Sequence, residues 1–149
     1  MAVNTPVAEA PAGHQLTNRH LIDTQLWDRL VGRIVKDENM EPSLAERIMD
    51  QSLAFLALSA TDKDGGYSPS PLVDIGWHTF ILYTKAYAAF CEKMGGFIHH
   101  DPSDVPGVEY QKGNLDRTVA ALKAHGFSVD ESLWVGKVHC EAGCCSSNG

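Results

Sequence analysis

The stretch from Pro71 to Met94 limits what this chain can become more than any other part of it. Histidine aside, Asp74 is its one charged residue before Lys85. Trp77, Ile81, Thr84, Ala88 and Cys91 fall on one stripe at helical spacing, and Leu82, Phe90 and Met94 widen that stripe. An apolar face of this breadth has to be covered, so the pattern predicts a central, buried helix over 71–94. Ser70 reads as its N-cap, and Pro71 as its first helical residue, where a missing N–H costs nothing. Gly95-Gly96 ends it.

Other helices assemble around this one. Leu26, Trp27, Leu30, Ile34 and Val35 predict a helix over about 23–38, broken by Asn39-Met40-Glu41-Pro42. Ser43-Leu44-Ala45-Glu46 has the form of a capping box and opens a helix that runs to about Ala60. Thr61 to Tyr67 is a polar, Gly-rich turn. A fourth helix is expected from about Asn114 to His125, closed by Gly126, and Asp130 to Trp134 adds a short helical turn. The expected fold is all-α: a compact bundle of about four main helices (19–134), a flexible N-terminal arm (1–18) and a flexible Cys-rich tail (135–149). There is no internal repeat.

Composition narrows the function classes. The chain has 149 residues, 44% hydrophobic and 21% charged, which is ordinary for one globular domain. A net charge of −7 with scattered basic residues argues against binding to a phosphate backbone. No stretch approaches the roughly 20 apolar residues of a membrane span. Residues 1–13 lack the basic and apolar regions of a secretory signal, so the expected location is cytoplasmic, with the four cysteines reduced. There is no GxGxxG after a strand, no P-loop, no GxSxG elbow and no HExxH helix, and nothing requires an enzyme.

Three places carry chemistry. Asp74 and His78 lie four apart and share one helix face. A carboxylate there accepts an imidazole N–H and frees the other ring nitrogen for a metal or a proton. The alternative is a core histidine that only locks helix packing, whose truncation would cost about 1–3 kcal/mol. Trp77→Ala, by contrast, would open a hole in the predicted core worth about 3–5 kcal/mol. In the following loop, consecutive His99 and His100 cannot both face the same way in extended chain. One reaches toward His78 while the other meets water. With Asp101, such a set offers two nitrogens and an oxygen, suited to Zn²⁺ or non-haem iron with open positions. The alternative is a loop cap whose histidines satisfy local backbone groups.

The third place is the tail, where His139, Cys140, Cys144 and Cys145 put one imidazole and three thiols within seven residues. Those donors suit Zn²⁺ or Cu(I). The same residues also read as a Cys/Ser-rich segment modified by partner enzymes, or as a solvated end with incidental thiols. Cys91, on the apolar stripe, reads as a buried small hydrophobe.

The string Asp74, Trp77, His78, Thr79, Leu82, Tyr87 and Cys91, continued by Phe97-Ile98-His99-His100-Asp101-Pro102, resembles the glycine-rich domain-containing protein-like family. The resemblance extends over residues 20–125 and implies a helical domain without a secure activity. Phe80 stands where that family usually has a second His, and no Gly-rich region follows. Three functions are open at this point: a transition-metal protein (zinc, iron or copper), a carrier or precursor whose tail is modified by partner enzymes, and a protein interaction module.

Overall fold

The computed structural model describes residues 15–100 and 112–136, and the regular elements among them are all helices. After a single 3-10 turn at Arg19–Leu21, α1 spans Thr24–Glu38. The Asp23 carboxylate accepts the Leu26 N–H at 2.8 Å, which caps the start of α1, and Asn39 ends it in the left-handed region at φ 52°. Trp27, Leu30, Val31 and Ile34 form its buried face.

Helix α2 spans Pro42–Thr61. The capping box expected at Ser43 and Glu46 is not formed: Glu41 occupies the N-cap without a side-chain bond, and Pro42 takes the first turn. Proline has no N–H to lose there and its φ already suits a helix, so the cap lies two residues before Ser43, which falls inside the helix. Thirteen of the 20 residues of α2 are buried, eleven of them in an unbroken run from Ile48 to Leu58. This makes α2 the central helix, a place the sequence had suggested for 71–94. The misleading feature is its polar triplet Asp50-Gln51-Ser52, which is buried because every member finds partners.

Those partners draw both ends of the fold onto α2. The Asn18 backbone N–H and side-chain amide donate to the two Asp50 oxygens at 2.7 and 3.1 Å. Gln51 accepts from the Asp130 N–H at 3.0 Å and the Trp134 indole at 2.8 Å, and donates to the Ser128 carbonyl at 3.0 Å. Arg47 forks onto Asp130 at 2.7 and 3.2 Å. The Ser52 hydroxyl lies 2.7 Å from the carbonyls of Ile48 and Val73.

The expected 71–94 helix is two helices, α3 (Pro71–Ile81) and α4 (Thr84–Met94). At the break, the Leu82 and Tyr83 N–H groups reach back only three residues, to Thr79 and Phe80, and Tyr83 leaves helical geometry at φ −97°, ψ 68°. No Gly or Pro marks this position. Packing overrides local propensity here: Phe80 meets Tyr87 and Phe90 across the break, with ring centroids 5.4 and 5.3 Å apart. Ser70 caps α3 as expected, accepting the Val73 N–H and donating to the Leu133 carbonyl. Trp77 is buried, in accord with its reading as a core anchor.

Gly76 is where α3 approaches α2 most closely. A Cβ there would lie 2.1 Å from Ser52 Oγ and 2.8 Å from its Cβ, closer than real atoms approach. Helix α5 (Lys112–Ala124) buries Leu115, Thr118 and Leu122, and Gly126 closes it at φ +88°. The expected turn near 130–134 is a 3-10 turn, Glu131–Leu133. Residues 1–14 of the expected arm and 137–149 of the expected tail lie outside the described residues.

Candidate metal centre

The Ser70 cap and Pro71 fix where α3 starts, and therefore which way Asp74 and His78 point. They share a face one turn apart, at the side of α3 away from its Gly76 contact with α2. The two Asp74 oxygens each face one imidazole. Oδ1 lies 3.0 Å from His100 Nε2, and Oδ2 lies 3.8 Å from His78 Nε2. The first is a hydrogen bond; the second is too long for one. The His78 and His100 ring centroids are 4.3 Å apart, and one donor atom from each of the three residues lies within 4.8 Å of the others.

Burial differs sharply across this cluster. The His100 side chain is 13% exposed, Asp74 20% and His78 60%. His78 is therefore not a core histidine, and the stability cost expected for one does not apply to it. The helical stripe was assigned to the core as a whole, but α3 packs through Val73, Gly76, Trp77 and Phe80, which leaves His78 on the outer edge.

His100 is placed by a relay through the core. The Trp77 indole N–H donates to Tyr87 Oη at 2.8 Å, and that hydroxyl donates to the Ile98 carbonyl at 2.5 Å. Trp77 also presents its ring to His100 in an edge contact at 4.3 Å. Burial pushes the Tyr87 hydroxyl pKa well above its ordinary value, with the Trp77 N–H opposing. The loop then alternates. Ile98 and His100 are partly buried, whereas His99 is exposed and stacks its edge against Phe97 at 4.7 Å.

Of the histidines named from the sequence, His78 and His100 come together, and His99 stands aside. Asp101, named as the oxygen donor, and the tail residues His139, Cys140, Cys144 and Cys145 lie outside the described residues. Asp74, read as a supporting group, stands at the centre of the cluster. The Tyr87 relay was not foreseen; its signal was a Tyr ten residues after the motif Trp, which spacing alone does not join. Cys91 is free and fully buried, as read.

An open cleft of about 370 Å³ borders the cluster, lined by Asp37, Glu38, Asp74, Ile75, His78 and Leu82 among others. Two imidazoles and a carboxylate match a divalent transition metal, whose ligand bonds are about 2.0–2.2 Å. Ligands on one such ion stand roughly 3–3.5 Å apart, so the Asp74–His100 pair already has suitable spacing. The exposed His78 ring has the freedom to close the remainder.

Among the described residues, no helix is long and apolar enough to cross a membrane. No curated protein and no solved structure matches the chain. A family model does, over residues 18–126, and it is the UCP032817-like model. This overturns the resemblance to glycine-rich domain-containing proteins, which rested on a short string within one helix pair and its following loop. The match takes in α1 to α5 and covers well over half of the sequence, and by it the chain belongs to the UCP032817-like family.

Proposed function

We propose that this protein binds a divalent transition metal, zinc or iron, through Asp74, His78 and His100. The observation that carries the reading is the convergence of those three donors, within 4.8 Å of one another, from a helix and from a loop more than 20 residues further along. Two imidazoles and one carboxylate are a donor set for Zn²⁺ and for non-haem Fe²⁺, and three protein ligands leave a position for water or a small molecule. The bordering cleft supports access to that position. His100 would supply a well-held nitrogen, Asp74 an oxygen, and His78 a mobile nitrogen at the rim. The reading takes the protein to work in a reducing cytoplasm, where its thiols stay free.

The test is elemental analysis and Zn²⁺ titration of protein purified without a metal-binding tag. The full chain is compared with a form ending at Gly136 and with Asp74→Asn, His78→Ala and His100→Ala. The expected result is near-stoichiometric metal in the full and shortened chains, with affinity reduced by about tenfold or more in each variant. Metal lost with the tail, or bound equally by all three variants, would overturn the assignment.

A further inference from the structure

Among contacts between described residues, the Phe97–His100 segment is held to the helices by two hydrogen bonds. One joins the Ile98 carbonyl to Tyr87, and the other joins His100 to Asp74. The second belongs to the proposed metal centre; the first has a role of its own. We infer that Tyr87 is a positioning residue, whose hydroxyl sets the location of the His100 imidazole through the Ile98 carbonyl.

The geometry carries this in three steps. Tyr87 Oη is itself fixed, because it accepts the Trp77 N–H at 2.8 Å and its ring is buried between Phe80 and Phe97, at centroid distances of 5.4 Å each. From there the hydroxyl donates to the Ile98 carbonyl at 2.5 Å. Ile98 and His100 are two apart in a segment whose side chains alternate, so pinning one carbonyl favours the side chain at 100 inward and that at 99 outward. This is the alternation seen in their burial. Trp77 then serves twice: its N–H orients the hydroxyl and its ring edge bounds His100 at 4.3 Å. Tyr87 touches neither the donor atoms nor the cleft, and it acts only through the backbone.

The experiment compares wild type, Tyr87→Phe and Arg47→Ala, the last as a variant destabilised far from the site. In metal-free protein, the rate of diethyl pyrocarbonate modification at His100 is followed by peptide mass spectrometry, with the exposed His99 as an internal reference. Tyr87→Phe should raise His100 labelling several-fold, toward that of His99, while helicity is retained; Arg47→Ala should not. In a second arm, Co²⁺ binding to Tyr87→Phe should weaken by about tenfold, with an absorption spectrum shifted toward that of His100→Ala. If Tyr87→Phe lowers Tm but leaves His100 labelling as in wild type, the inference is wrong. This inference rests on the metal reading only in its second arm. A wild type that binds no Co²⁺ sinks that reading, and the labelling still decides the role of Tyr87.

Discussion

Two carboxylate clusters in this molecule are built to opposite ends. Around α2, Asp50 and Asp130 are buried and their oxygens are taken up by Asn18, Gln51, Arg47 and Ser132. On α3, Asp74 keeps one hydrogen bond, has a second imidazole just beyond bonding distance, and borders an open cleft. The first cluster is saturated, so it holds structure. The second is partly saturated at an accessible place, so it retains capacity for another partner. Residue type does not separate the two; the number of donors already delivered and the presence of a way in do.

The sharpest way to break this contrast is Arg47→Ala. It removes the Arg47 guanidinium from the buried Asp130 carboxylate, and should cost about 3 kcal/mol, the low end for a broken buried pair because Arg47 keeps some contact with water. Denaturant unfolding measures it, and metal uptake should be unaffected. Gly76→Ala comes next. It drives a Cβ into Ser52 and should cost about 1–3 kcal/mol through overpacking. Because α3 must shift away from α2, this substitution should also loosen the Asp74 cluster, so it tests whether the two regions are mechanically joined.

An alkaline titration gives a smaller effect. Tyr87 is held protonated by burial, so its folded pKa lies above its unfolded one. The stability it confers is complete below the unfolded value of about 10 and declines as pH rises past it. Unfolding curves at rising pH should show that decline, and Tyr87→Phe should flatten it. The smallest expected effect on stability is that of His78→Ala, within about 0.5 kcal/mol for a side chain this exposed. The same substitution should nonetheless weaken metal binding by at least about tenfold. A large loss of stability would return His78 to the core and erase the contrast between the clusters.

Much of the helical frame was readable because its signals are local. Ser70-Pro71 and Gly126 mark helix ends by their own side-chain and backbone chemistry, and the structure uses both, whereas the cap by Asp23 was not read. The Ser43 capping box failed because a neighbouring proline satisfied the same helix start at less cost. The break at Leu82-Tyr83 left no trace, since it is imposed by aromatic packing across it. At the site, the i to i+4 spacing placed Asp74 with His78, and chain alternation predicted that one of His99 and His100 would turn inward. Which of them does so depends on the Tyr87 relay, a tertiary contact. For the same reason, the exposure of His78 was hidden until the face of α3 that meets α2 was known.

The clasp on Gln51 has a consequence for synthesis of the chain. Its partners Ser128, Asp130 and Trp134 follow it by 77, 79 and 83 residues. At about 5–20 residues per second, translation delivers them roughly 4–17 seconds after Gln51 has been added. Throughout that interval the helix that will be most buried has apolar residues on all sides and polar groups still awaiting their partners. The nascent protein is most open to aggregation or chaperone capture then, and the last described turn of the chain brings that exposure to an end.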